Sequence, residues 1–401
     1  MRVMDLHQRY PALSDLRQRA RRRLPRFVWD YLDSGTGTEA TMARNRAALD
    51  QVGFSPSILH GQQETSLQCN FLGAGRPLPF GIAPVGMSGL IWPDAERLLS
   101  RCAAAQNIPY CLSTVASQSP EDLADDLGAA PWFQLYPPKD PDIRRDLLDR
   151  AKKAGFTGLV LTVDVPVASR RERQTRSGLT QPPRLTPRLL AQVAQRPAWA
   201  MGMARRGMPH MRTLDAYVTG ANATLSSTAH VGYLLRTSPD WEYVKWLRDN
   251  WEGPLIIKGV MRAEDTAPLE ALGVDALWVS NHAGRQFDAA PATIEALPQI
   301  RAATALPLIF DSGIEGGLDI LRALALGADF VMLGRAFHFA LAALGKKGPD
   351  HLIDILRKDL VANMGQLGLP DLNSLPAPRT LPPLTPPFAT SRSDTDANVP
   401  P

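Results

Sequence analysis

Eight short apolar runs recur along the chain, most of them followed by a stretch with helical spacing. They are FGIAPVG at 80–86, IPYCLST at 108–114, PWFQLY at 131–136, GLVLTVDV at 158–165, PLIIKGV at 254–260, ALWVSNH at 276–282, PLIFDSG at 307–313 and FVMLGRA at 330–336. Their length and their content of β-branched and aromatic residues predict strands. Between them lie segments such as DAERLLSRCAAAQN, DIRRDLLDRAKKAG and GLDILRALALG. Several of these segments open on Asp or Ser and close on Gly, as capped helices do. Strands alternating with helices imply parallel pairing through right-handed crossovers, and eight such units are the number that closes a (β/α)8 TIM barrel of the α/β class. An open doubly wound sheet is the structural alternative. That fold usually carries a Gly-rich nucleotide loop after its first strand, and APVGMSG at 83–89 lacks the G-x-G-x-x-G spacing.

Three regions fall outside this rhythm. A helical N-terminal extension precedes the first strand. The span 166–240 separates the fourth strand from its helix and is far too long for an ordinary βα loop, so it reads as an insertion. The tail 376–401 is rich in Pro, Ser and Thr and is expected to be disordered, which leaves a single barrel domain over 1–375.

Composition narrows the class. Hydrophobic residues make up 44% and charged residues 21%, as in an ordinary globular protein with a sizeable core. Cys69, Cys102 and Cys111 lack C-x-x-C spacing, which argues against a disulfide scaffold or zinc ribbon and suits a reducing compartment; no metal is expected. The N-terminus lacks the apolar region of a signal peptide, and no uncharged apolar run reaches the ~18 residues of a membrane span. A cytoplasmic location follows. The net charge is +4, but the basic residues cluster in RQRARRRLPR at 17–26 and RRERQTR at 170–176. The first block reads as a solvated helix face. Without a recognisable binding module, no nucleic-acid partner is expected.

The strand ends carry the candidate chemistry, because active sites of such barrels sit at the C-terminal ends of the strands. Alternate strand residues share a face, so Gln134 should project with Tyr136, Thr162 with Asp164, and Ser280 with His282. Lys258 ends strand five, Asp311 ends strand seven, and Ser113 and Thr114 end strand two. Burying this many polar groups costs free energy unless they are paired or used, which marks the rim as the site. The small-residue loops DSGIEGG (311–317) and LGRAF (333–337) each open a helix and offer backbone amides, with Arg335, to a phosphate.

These residues resemble a known family. SNHAGRQFD at 280–288 is similar to the SNHGGRQLD signature of the FMN-dependent α-hydroxy-acid oxidising flavoproteins, which include glycolate oxidase, lactate dehydrogenase and mandelate dehydrogenase. The resemblance extends from RRLPRFVWDYLDSG through APVGMSGL, WFQLYPPKD and LTVDVPVASRRER to DSGIEGGLDILRALALGADFVMLGR. It implies a (β/α)8 barrel with FMN at its C-terminal mouth. It implies that His282 is the catalytic base, oriented by Asp164, and that Arg171 and Arg285 clamp the substrate carboxylate. Tyr31 and Tyr136 would donate hydroxyls to the substrate, and Lys258 would stand beside the flavin N1/C2=O edge. FMN contacts would come from Pro84, Val85, Gly86, Ser113, Gln134, Thr162 and Ser280, with Asp311, Gly313, Gly334 and Arg335 on the ribityl and phosphate side. The reaction implied is oxidation of an L-2-hydroxy acid, lactate or a near relative, with a quinone-type acceptor, in a homotetramer or larger assembly.

Three departures bear on this. The family usually has Arg where this chain has Glu315; Arg335 and backbone donors would then hold the phosphate, with Glu315 turned to solvent. Ala283 replaces the first Gly of the signature and needs a conformation open to Ala. Gly86 is often Ala in oxidase members, so Gly favours an acceptor other than oxygen. Segment 184–211 mixes Leu, Met and Trp with arginines and has no acidic residue, which suits an interfacial segment on the cytoplasmic face of an anionic membrane, as in membrane-docking family members, or else a lid or subunit contact. The competing readings are an oxidase that makes hydrogen peroxide and, from another class, a non-catalytic flavin- or ligand-binding barrel.

Overall fold

The computed structural model describes residues 5–178, 186–217 and 238–383. Eight strands close into a barrel: β1 (Phe80–Ile82), β2 (Tyr110–Ser113), β3 (Pro131–Leu135), β4 (Gly158–Thr162), β5 (Leu255–Val260), β6 (Ala276–Val279), β7 (Leu308–Phe310) and β8 (Phe330–Leu333). Each pairs in parallel with its successor, and β8 pairs back to β1. The eight predicted runs are these strands, and closure excludes the open sheet.

Strand parity explains how the rim is built. The barrel interior is filled by Cys111, Trp132, Val160, Ile256, Trp278 and Ile309. Two residues further along each strand the same inward face carries Ser113, Gln134, Thr162, Lys258, Ser280 and Asp311. One alternation therefore sets an apolar layer below and a polar layer at the C-terminal mouth. At the opposite end the hairpin of Cys69–Phe71 and Ala74–Arg76 plugs the barrel. The Phe71 ring stacks on Phe330 at 4.6 Å and tilts against Trp132 at 6.1 Å.

The N-terminal extension forms α1 (Leu13–Arg23), α2 (Arg26–Asp33) and α3 (Ala40–Asp50). Helix α1 buries Leu13, Leu16 and Ala20. Its basic block is solvated at Arg21, Arg22 and Arg26, as expected, but three of its arginines also find partners on the body. Arg19 donates to Ala343 O at 2.8 Å, Arg23 lies over the Trp92 ring at 5.0 Å, and Arg17 reaches Asp33. Guanidinium stems pack on apolar surface and their heads find carbonyls and carboxylates, which composition alone does not reveal.

The described part of the insertion holds α4 (Pro187–Ala194) and α5 (Pro197–Arg206). Leu189, Trp199 and Met203 anchor it to the body, and Trp199 Nε1 donates to Leu90 O at 3.0 Å. Two barrel helices matter below, α6 (Gly317–Ala325) and α7 (Arg335–Leu344). The predicted disordered tail is corrected at its start. Arg379–Thr380 pairs antiparallel with Val52–Gly53, and Leu381 N donates to Gln51 O at 2.7 Å. The paired side chains of this tail strand are exposed, so a backbone ladder alone orders the segment and leaves no hydrophobic signal. Residues 384–401 lie outside the described residues.

Phe71→Ala is expected to lower stability by about 3–5 kcal/mol, the usual loss for emptying a buried aromatic site. Urea denaturation measures it, and a loss under about 1 kcal/mol would mean that the hairpin is not a plug.

Candidate active site

The polar rim is wired from strand to strand. Ser113 Oγ donates to Gln134 Oε1 at 2.8 Å, and Gln134 Nε2 donates to Thr162 Oγ1 at 2.9 Å. Lys258 Nζ donates to Ser280 Oγ at 2.7 Å and lies 3.3 Å from Asp311 Oδ2. Asp311 also accepts from Trp278 Nε1 at 3.0 Å and from Ser312 Oγ at 2.6 Å. A cavity of roughly 1880 Å³ opens above this layer, and His282, Lys258, Tyr136, Arg171, Arg285 and Arg335 line it. Of the residues expected at the site, Asp164, Ser113 and Ser280 stand behind its wall, bonded to residues that do line it; the others all border the cavity.

His282 and Asp164 meet from two different strand ends. Nδ1 lies 2.9 Å from Asp164 Oδ1. Burial works against the Asp164 charge, but His282 and then Lys258 outweigh it and hold the carboxyl below its usual range. An ionised carboxylate can only accept, so Nδ1 carries the proton and Nε2 keeps its lone pair. Burial, partly opposed by Asp164, lowers the His282 pKa and keeps the imidazole neutral. For Lys258, burial is outweighed by Asp311 and Asp164, which raise its pKa and keep it an ammonium.

Ser280 and His282 converge, though not as alternate residues of a strand. Strand β6 ends at Val279, and His282, Ala283 and Gly284 take successive left-handed conformations with φ of 54°, 54° and 71°. That turn folds His282 back so that its amide donates to Ser280 Oγ at 3.1 Å. Ala283 therefore sits in a left-handed conformation, contrary to the expectation of an unstrained one, and its amide is fixed by Ser312 Oγ at 3.0 Å. For an L-residue that conformation costs roughly 1–2 kcal/mol.

The N-terminal helices hold this loop from outside. Asn281 and Asn45 exchange side-chain amide hydrogen bonds at 2.8 and 3.0 Å, and Thr36 N donates to Gly284 O at 3.0 Å. Asp288 caps the start of α3 through Thr38 N and Thr41 N. The last acid of the signature is thus a structural cap.

Two guanidiniums face the cavity beside His282. Arg285 donates to the carbonyls of Tyr31, Leu32 and Ser34, and Arg171 donates to Ser169 Oγ from a backbone at φ 44°. Burial and then Arg171 bring the Arg285 pKa down to about 9, still cationic at neutral pH. Among the described residues neither forms an ion pair with a carboxylate. Tyr31 borders the cavity and donates its hydroxyl to Gly86 O at 2.8 Å. At the far end Arg335 is half-buried, and its one side-chain hydrogen bond among the described residues is to Met42 Sδ at 3.7 Å. Burial lowers its pKa as well.

A model of the FMN-dependent dehydrogenase family matches residues 20–380. The chain belongs to the FMN-dependent dehydrogenase family. It is 40% identical to the L-lactate dehydrogenase of Caulobacter sp. (strain K31) over 365 residues, 90% of this chain and 96% of that one. It is 38% identical to the L-lactate dehydrogenase of Pseudomonas syringae pv. syringae (strain B728a), covering 91% and 96%. Among solved structures it resembles a monotopic membrane (S)-mandelate dehydrogenase, with 35% identity and a TM-score of 0.87 over 92% of this chain and 99% of that one.

The residues present fit FMN. A half-buried guanidinium with no carboxylate partner among the described residues suits a phosphate at one end of the cavity, and the hydrogen-bonding rim with a buried ammonium suits a polar, electron-accepting ring. Arg335, Gly334 and Gly313 would hold the phosphate end, with Gln134, Thr162, Lys258 and Pro84–Gly86 at the ring end. Glu315 lies at the cavity margin with a side chain 55% exposed, its Oε1 3.5 Å from Arg17 Nη1. The loop amides are less available than expected: Glu315 N donates to Asp319, and Gly317 N and Leu318 N donate to Asp359. Gly86 has a packing reason of its own, since a Cβ there would lie 2.7 Å from Val115 Cγ2. Sequence reasoning missed Ser312, Asn45 and Met211, which touch the site only through the fold; Ser312 stood inside a quoted loop but reads there as a turn residue.

Ala283→Gly is expected to raise stability by up to about 1 kcal/mol by removing the left-handed penalty, while Ala283→Val lowers it. Chemical denaturation of both variants checks the sign; a Gly variant less stable than the parent would contradict the strain assignment.

Proposed function

We propose that the chain oxidises an L-2-hydroxy acid of the lactate type to the 2-oxo acid, with FMN as its cofactor and a quinone-type molecule as final acceptor. One observation carries this reading. His282 keeps a free Nε2 in the same cavity as two guanidiniums that have no carboxylate of their own. Arg171 and Arg285 bind the acid's carboxylate, since planar guanidiniums suit two-point recognition. That anchor turns the C2 hydroxyl toward His282, which takes its proton as general base. Asp164 stabilises the imidazolium that results. Tyr136, whose hydroxyl has no partner among the described residues, donates to the bound acid. FMN would supply the two-electron acceptor for the C2–H bonding pair together with its hydrogen, and the fixed Lys258 ammonium would favour negative charge near its own position. The lactate and mandelate dehydrogenase relatives support this substrate class.

The insertion supports an acceptor drawn from a membrane. Leu190, Met201 and Met208 are 53–55% exposed on the side away from its buried anchors. No helix among the described residues is long and apolar enough to cross a membrane. Peripheral attachment to the cytoplasmic face through residues 184–211 follows as the mode of contact. Met211 and Arg196 also border the cavity, so the same segment serves as its wall. A homotetramer or larger rests on the family resemblance alone.

Anaerobic addition of L-lactate is expected to bleach the oxidised flavin absorption, and a panel of 2-hydroxy acids that leaves it unchanged would refute the proposal. Reoxidation by a quinone analogue should outpace peroxide formation in air; the reverse would make the chain an oxidase. His282→Ala should retain flavin while losing about 10²–10⁴-fold in turnover. Because only the neutral imidazole is active and burial lowers its pKa, kcat/KM should hold as pH falls to the ordinary histidine value of 6.5 and decline below it. An inflection above pH 7 that vanishes in His282→Gln would contradict a neutral base with lowered pKa.

A further inference from the structure

The end of the cavity away from His282 is bounded by Gly313–Glu315, by Gly334–Arg335, and by Arg17, Met42 and Arg46 from the N-terminal helices. Its cations are not equivalent. Arg46 is saturated, with Asp319 at 2.6 Å, Asp50 at 2.5 Å and Gly313 O at 3.0 Å. Arg17 is bonded on one side only. Its Nε and Nη2 hold Asp33 Oδ1 at 3.1 and 2.7 Å, while Nη1 faces the other way, 3.5 Å from Glu315 Oε1. Asp33 is itself shared with Arg173 at 3.1 Å, which fixes the orientation of the Arg17 fork. Glu315 and Arg17 are both substantially solvent-exposed, so their pair is held only weakly. Three amides of the loop after β7 already serve Asp319 and Asp359. Most of the positive charge for a dianion at this end must therefore come from side chains.

We propose that Arg17 is the second cation of the FMN phosphate site beside Arg335, and that Glu315 is an internal carboxylate competing with the phosphate for its free edge. With FMN bound, Arg17 Nη1 donates to the phosphate and Glu315 turns to water. Without FMN, Glu315 neutralises that edge. No covalent step is involved, and flavin affinity becomes a balance between two anions for one guanidinium.

The test is a titration of apoprotein with FMN and, separately, with riboflavin, which lacks the phosphate, followed by flavin fluorescence. Arg17→Gln should weaken FMN at least tenfold and leave riboflavin within twofold. Glu315→Gln, at an exposed position that does not threaten folding, should tighten FMN severalfold and lose that effect in the Arg17→Gln background. Arg17→Gln binding FMN within twofold of the parent would overturn the assignment. So would equal weakening of FMN and riboflavin, which would make Arg17 a structural strut through Asp33. Unchanged FMN affinity in Glu315→Gln would overturn the competition.

Discussion

The hydrogen bond from His282 Nδ1 to Asp164 Oδ1 is the interaction on which the site depends. It joins two residues 118 positions apart, at the ends of β6 and β4, and it sets the tautomer that leaves Nε2 as a base. It survives burial because the charges around it are matched. The Lys258 ammonium lies between Asp164 at 3.9 Å and Asp311 at 3.3 Å, so the carboxylate that orients the imidazole is itself stabilised from behind. A buried charge left alone would neutralise by a pKa shift, and the base would lose its orientation.

Three further guanidiniums border the cavity. Arg171, Arg285 and Arg335 face it with carbonyl, hydroxyl or thioether contacts and no carboxylate partner among the described residues. Guanidiniums without carboxylate partners are costly to bury, which suits the cavity to anionic ligands. Glu315 fits this picture as a weak, exposed carboxylate at the margin.

The N-terminal helices are part of the active site. They supply the carbonyls that hold Arg285, the amide that pairs with Asn281, and the backbone that ties down Gly284. The strained turn at 282–284 persists because these contacts over-determine it. A free loop would relax toward ordinary backbone angles and swing His282 away from Asp164.

Much of the architecture was legible in the chain. Eight apolar runs with helical spacers determined the barrel, period-two alternation placed Gln134 and Thr162 on its inner rim, and strand ends placed Lys258 and Asp311 there. Those are local properties, set by steric periodicity and burial. The signature around His282 marked it and its loop as the candidate base, although alternation did not foresee that a left-handed turn would deliver it. What only the tertiary structure decided were relations between distant segments. These include the seats of the arginines at 17–23, the saturation of the loop amides by Asp319 and Asp359, the hydrogen bond that Tyr31 donates to the Gly86 carbonyl, and the ordering of 379–380 by a backbone ladder. Hydrogen bonds and ion pairs act over a few ångströms in space and impose no period along the sequence, so their partners could be found only once the chain had folded.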